Sequence, residues 1–379
     1  MNSRKLYYEF PYMKEFKAHV TSCTENNGIY EIKLKDTAFY PEGGGQPADM
    51  GYIGGCRISY VSNKPDGIVH IGDKPLTENS EYNANIDWEK RFDHMQHHSA
   101  EHLVSGIIHE LYGADNVGFN IGEFYVTIDF NRELTREDAN KIEHLANEGI
   151  YKNLPIKVDY FDGVPPFSYR SKKELSGTIR IVTIDNYDVC ACAGTQLSTT
   201  GEIGLVKIIS VQKYKSGSRL YLLCGHRALR DYQAKEDNVS AIATLLSSKP
   251  YETAEHVELL YKEREALKFE LVSAKNALID MKTDKLPPAD KILIFKNNLS
   301  NDEMKRYISN LLEKINTVAV FSGNEEEGYK YMVSSTTLDL PDFIKNMNAA
   351  LNGKGGGKGI AGGHVCAGKT HIERFFTNI

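Results

Sequence analysis

The sequence has no run of ~18 apolar residues and no apolar stretch near its start, which argues against a membrane-spanning helix and an export signal and predicts a cytoplasmic protein. Blocks of Lys or Arg are also missing, and 45 basic against 51 acidic side chains leave a net charge of -6. A nucleic acid would therefore have to be met by a local basic patch and not by the whole surface. Cysteine is sparse, at positions 23, 56, 190, 192, 224 and 366. With reduced thiols expected, the close pair Cys190 and Cys192 reads as a metal or buried site and not as part of a disulfide framework. What the chain does have is 379 residues at 41% hydrophobic content, which excludes disorder and suffices for two or three domains.

Residues 6–85 are rich in Tyr, Gly and Pro and carry short strand-like runs at 31–34 and 68–71, which predicts a small β domain. Asp93 is the expected cap of a helix over 95–112, in which Leu103, Ile107, Ile108 and Leu111 recur at helical spacing before Gly113. A strand near 122–130, a helix near 135–152 and strands near 155–160, 178–184, 204–211 and 218–224 follow, an α+β order and not a doubly wound one. From about 226 the pattern turns helical. Val257, Leu260, Arg264, Leu267, Leu271, Ala274 and Leu278 stand alternately three and four apart, forming a heptad seam that suits either a packed or dimerising hairpin or an ordinary amphipathic helix. Pro287 and Pro288 break it and open a compact α/β domain with strand-like runs at 292–295 and 318–321 and a Gly/Lys-rich segment at 353–363, read as a flexible loop.

The chemistry concentrates in two places. His98 and His102 share a helix face at i, i+4, and Cys192 with a second donor four residues on, Gln196, is able to complete a tetrahedral zinc site. His94 falls near the same face, and Cys190 is an alternative to Cys192. Gln196 is the weak corner, because a neutral amide is a poor zinc ligand and leaves the fourth position to water. Glu101 is the candidate catalytic carboxylate; with His98 and His102 it also spells the inverted zinc-peptidase pattern HxxEH, which needs a later carboxylate such as Glu174 or Glu202. Gly363 to Thr370 satisfies the P-loop expression, but a P-loop must link a strand to a helix inside a nucleotide-binding sheet with a later carboxylate for magnesium, and only about nine residues follow Thr370, so the match reads as accidental.

Several segments, in order, resemble the alanyl-tRNA synthetase editing domain and its free-standing AlaX relatives: Thr37-Ala-Phe-Tyr-Pro-Glu-Gly-Gly-Gly-Gln46-Pro-Ala-Asp49, the run from Asp87 into the histidine pair, Gly118-Phe-Asn-Ile-Gly122, Thr200-Gly-Glu-Ile-Gly204, and Arg219 to Ala228. The Gly-rich C-terminal segment resembles the DHH-associated domain; no Asp-His-His triplet accompanies it, which argues against a phosphodiesterase. The resemblance implies a small N-terminal β-barrel domain over 1–86, an α+β zinc-containing editing domain over 87–228, a coiled-coil-like helical linker over 229–285 and the DHH-associated domain over 286–379. No upstream aminoacylation core is expected.

It further implies a trans-acting deacylase that hydrolyses seryl- or glycyl-alanine tRNA. Zinc would sit on His98, His102, Cys192 and Gln196, where the family has histidine at the last position. Gly43, Gly44, Gly45, Gln46, Gly118 and Thr195 would meet substrate, and Lys354 and Lys358 RNA phosphates. Ala193 replaces a usual glycine, and Asn120 stands where relatives often have histidine, so substrate preference is expected to shift. A homodimer through the linker and last domain is expected, with no membrane partner. A zinc-bearing tRNA-binding module without hydrolysis and the inverted zinc peptidase are the competing readings.

Overall fold

The computed structural model describes residues 3–377 of a mixed α+β protein. It divides into two compact units, one ending at Val239 and the other beginning at Ser240.

In the first unit, six strands close into a barrel in the order Glu15–Asn26, Ile29–Leu34, Gly67–Gly72, Cys56–Lys64, Gly51–Ile53, Glu81–Ile86. Alternation fixes which face is inside: Ile32 and Leu34 are buried between half-exposed neighbours, and they pack with Val20, Ile53, Ile58, Val61 and Ile68.

The barrel leads into a 25-residue helix, Trp88–Tyr112, called here the histidine helix. It starts seven residues before the predicted 95. Asp87, not Asp93, is its N-cap and accepts from the Lys90 N–H, while Gly113 ends it in the left-handed conformation at φ 61°. Asp93 instead takes a two-pronged ion pair from Arg227. The first turns mix buried polar groups with apolar ones: Arg91 is fully enclosed and paired with Asp49, while Trp88 and Phe92 are only partly buried against the core, which blurs the apolar periodicity before Met95. Farther along, Leu103, Val104, Ile107 and Ile108 enter the core, whereas Leu111 is 40% exposed.

That core is shared with the helix Arg136–Tyr151 and a four-stranded antiparallel sheet in the order Val206–Tyr214, Gly217–Cys224, Val126–Phe130, Asn116–Ile121. The single strand predicted near 122–130 is thus the second arm of a hairpin whose turn begins at Gly122. A separate three-stranded sheet, Ile156–Asp162, Thr178–Ile184 and Asp188–Ala191, carries Cys190 at its edge.

In the second unit the helix Thr253–Asp284 displays the heptad seam outward: Val257, Leu260, Leu267, Leu271 and Leu278 are each 48–57% exposed. Its last turns bury Ile279 and Thr283 beside the helix Asn301–Leu312. A five-stranded sheet follows in the order Ala289–Lys296, Ile315–Asn324, Gly328–Ser335, Ala361–Val365, Gly353–Gly356.

The Gly/Lys-rich segment is therefore not a loop but the edge hairpin of this sheet. Glycine is what allows the pairing, since a Cβ on Gly363 would lie 2.2 Å from the Lys354 carbonyl oxygen. A helix, Lys369–Thr377, does follow the strand Ala361–Val365, but that strand is antiparallel to both neighbours, which is not the parallel setting a P-loop requires. Among the described residues no helix is long and apolar enough to cross a membrane.

Candidate functional site

The helical spacing stacks the His98 and His102 rings at 5.7 Å, and the segment after Asp188–Ala191 brings Cys192 to within 3.2 Å of His98 Nε2. The donor atoms of His98, His102 and Cys192 all lie within 4.8 Å of one another. Gly194 permits this approach, because a Cβ there would lie 2.0 Å from His98 Cε1.

Each imidazole is oriented from behind. His98 Nδ1–H donates to Gln46 Oε1 at 2.9 Å, and His102 Nδ1–H donates to Asp188 Oδ2 at 2.8 Å. Both rings thereby aim Nε2 at the shared point, the arrangement that second-shell acceptors impose on metal-binding histidines. Asp188 is itself gripped by the Arg170 fork at 2.7 and 2.8 Å. His102 Nε2 is buried without any hydrogen-bond partner, an orphan that a cation would satisfy.

Burial alone would raise the Cys192 thiol, but His98 and His102 outweigh it and hold it well below its ordinary value. Burial likewise opposes a charged His102, yet Cys192 and Asp188 carry its pKa well above the usual histidine range. A thiolate that calls for a positive partner, beside two pre-oriented imidazoles, fits a thiophilic divalent metal such as zinc.

The donors open into a cleft of about 1300 Å³, flanked by Lys5, Tyr8, Phe119, Lys172, Lys173 and Arg180. Tyr8 Oη donates to the Ala193 carbonyl at 2.9 Å and Arg180 Nη1 to the Cys192 carbonyl at 2.7 Å, pinning the cysteine loop to the cleft wall. Glu101 lines the same cleft and is 5% exposed. Its Oε1 accepts from Ser105 and Asn116 at 2.7 and 2.5 Å. Burial pushes its carboxyl up, but His102, Arg170 and Lys172 more than reverse this and hold it at about 2.

The other expected site residues divide by location. Gly44 lines the cleft, whereas Gln46 and Thr195 are fully buried behind it and bonded to each other at 2.8 Å, so Gln46 touches His98, Thr195 touches Gln46, and neither faces open space. Gly45, at φ 83°, lies against Phe119, whose carbonyl oxygen is 2.4 Å from its Cβ position. Gly43 bridges to Gln46, and Gly118 packs on Asp129; neither lines the cleft. Cys190 does line it, in a second group with His102 and Asp188, and burial raises its thiol. His94 is buried elsewhere, with Nδ1 unpartnered. Glu202 is engaged by Tyr12 Oη at 2.8 Å, and neither it nor Glu174 joins a donor group, so the peptidase pattern lacks its third ligand among the described residues. Lys354 stands on the edge strand of the second unit, and Lys358 borders a small groove there with Lys345 and Asn348.

Asp188 and Arg170 escaped the sequence reading. The only available signal was an acidic residue two before Cys190, too common a feature to single out.

Two stretches match known domain families: residues 179–221 the threonyl and alanyl tRNA synthetase second additional domain, and residues 289–379 the DHHA1 domain. An alanyl-tRNA editing protein, Aarsd1-A of Xenopus laevis, is 29% identical over 370 residues, covering 92% of this chain and 90% of the relative. The alanyl-tRNA editing protein AlaX-L of Pyrococcus horikoshii is 29% identical over 376 residues, covering 93% and 92%. The alanine–tRNA ligase of Ignicoccus hospitalis is 31% identical over the whole chain, which spans only 43% of that enzyme's length. The chain carries both domain matches and is similar, over nearly their full length, to free-standing alanyl-tRNA editing proteins.

Proposed function

We propose that this protein is a trans-acting deacylase in the cytoplasm that hydrolyses the ester of mischarged alanine tRNA carrying serine or glycine. The observation that carries the reading is the orphaned His102 Nε2 beside His98 and the Cys192 thiolate at a cleft flanked by Lys5, Lys172, Lys173 and Arg180. Such a cleft suits the phosphate-bearing end of a nucleic acid better than a peptide. A second site of this kind is needed because one small group changes amino-acid binding by only ~1–3 kcal/mol.

His98, His102 and Cys192 are the residues that hold zinc, which supplies a Lewis acid to polarise or orient the ester. Phe119 and Tyr8 offer aromatic faces to the terminal base, and the basic flank holds phosphates. Glu101, ionised and anchored by one oxygen, is a weak base; its role is to accept a hydrogen bond from the substrate ammonium group or from the attacking water. Gln46 supports His98 and is itself held by Thr195, and Gly44 forms part of the cleft wall.

The chain works as four parts, 1–86, 87–228, 229–285 and 286–379. Lys354 and Lys358 contact RNA phosphates, and the exposed seam pairs two copies into a homodimer.

The test is incubation of purified protein with seryl-, glycyl- and alanyl-alanine tRNA, with and without a chelator. Chelator-sensitive loss of the seryl or glycyl ester is expected. Retained tRNA binding without ester loss would instead identify a binding module.

A further inference from the structure

Gln196 stands at the fourth corner of the donor set, and its hydrogen bonds decide what it does there. Ser99 Oγ donates to Gln196 Oε1 at 2.8 Å, while the Gln196 amide Nε2 faces Cys192 Sγ at 3.6 Å. Which end of the amide is oxygen follows from the network. Ser99 Oγ accepts the Leu197 N–H at 3.0 Å and gives its proton to the Gln196 oxygen, so each of the two groups has a partner for the role it plays. Turning the amide over would take the Gln196 oxygen away from the serine proton and aim it at a thiolate. The residue is 3% exposed, and both ends of its amide have protein partners. The Gly194 N–H also points at Sγ, at 3.3 Å, giving the sulfur two N–H donors.

We infer that Gln196 is a positioning residue that donates to the Cys192 thiolate and is not a metal ligand, so the chain supplies three donors and a bound metal takes its remaining ligand from solvent or a small nitrogen or oxygen donor. The inference rests on the metal reading above and sharpens it: the oxygen that would ligate is committed to Ser99, and the nitrogen that faces the site carries hydrogens and no available lone pair. A three-donor set that admits an outside ligand is the form used for catalysis, while a four-donor set is the structural form. Cys190 does not complete the set, because its donor group contains His102 and Asp188 but neither His98 nor Cys192.

The experiment is cobalt substitution of the full-length protein, followed by visible absorption and titration with imidazole. Wild-type protein is expected to bind one cobalt and to shift its d–d bands on adding imidazole. Gln196→His is expected to fill the corner from within and lose that shift. Gln196→Leu, which neither donates nor ligates, is expected to keep the imidazole shift while its thiolate-to-cobalt charge-transfer band moves to longer wavelength, because a sulfur stripped of an N–H donor gives up electrons more readily. A wild-type spectrum indifferent to imidazole, with the shift appearing only in Gln196→Leu, would make the amide oxygen a ligand and overturn the inference. Failure to bind cobalt or zinc at all would overturn the metal reading itself, a result distinguishable at the first step. If Gln196→Leu does not fold, the contrast between wild type and Gln196→His still decides.

Discussion

The Nδ1–H of His102 meets Asp188 Oδ2 at 2.8 Å, and both side chains are 1% exposed. Because Arg170 clamps the same carboxylate, the tautomer of His102 is set by a buried chain of three residues that no helix or strand pattern reveals.

Asp188→Asn tests that chain. The amide no longer serves two donors as a carboxylate does, so zinc affinity is expected to fall by roughly 10–100-fold. Stability should fall as well, by ~3–5 kcal/mol, because Arg170 loses its partner at a site where it is only 13% exposed. Competition against a chelator reads the first effect and urea unfolding the second. Unchanged zinc affinity would show that Asp188 does not orient His102.

Glu101→Gln preserves shape and removes charge. Ester hydrolysis should drop by ~10²-fold or more while tRNA binding is kept. Since the carboxyl sits at about 2, no ionisation of Glu101 should show in the rate profile of the wild type near neutral pH. An unchanged single-turnover rate in the variant would remove Glu101 from the reaction.

His70 predicts an acid-sensitive barrel. Thr37 Oγ1 accepts the Phe39 N–H and so donates to His70 Nε2 at 2.8 Å, while His70 Nδ1–H donates to the Ile32 carbonyl. The ring is neutral, its pKa lowered by burial from 6.5 to about 4. Between those values the unfolded chain binds the extra proton, so this contribution is complete above pH 6.5 and declines as pH falls towards 4, by ~3 kcal/mol. Urea midpoints of wild type and His70→Gln at pH 7 and 4.5 measure it; equal slopes with pH would refute the assignment.

Lys354→Glu with Lys358→Glu should weaken tRNA binding and flatten its salt dependence by about two units of slope. Hydrolysis of a short acceptor-end substrate should be unaffected. Loss of activity on both substrates alike would count against an RNA role.

Leu267→Glu, on the outward seam, should convert a dimer into a monomer in sedimentation equilibrium at micromolar concentration. A wild type that is already monomeric would sink the proposal.

The sequence alone determined the α+β order, the strand Thr178–Ile184, the helix Arg136–Tyr151 and the pairing of His98 with His102, because these follow from local periodicity and i, i+4 spacing. It misread the start of the histidine helix and the Gly/Lys-rich hairpin. The first holds a buried Arg91–Asp49 pair where apolar residues were sought, and the second pairs strands made largely of glycine, which carry no apolar alternation to read. Tertiary structure alone decided the rest of the site. Only packing carries Gln46 behind His98, 52 residues away, and Asp188 behind His102, 86 residues away. The same holds for Gln196: its residue type marks it as a poor ligand, but only the proton of Ser99 fixes which end of the amide faces Cys192.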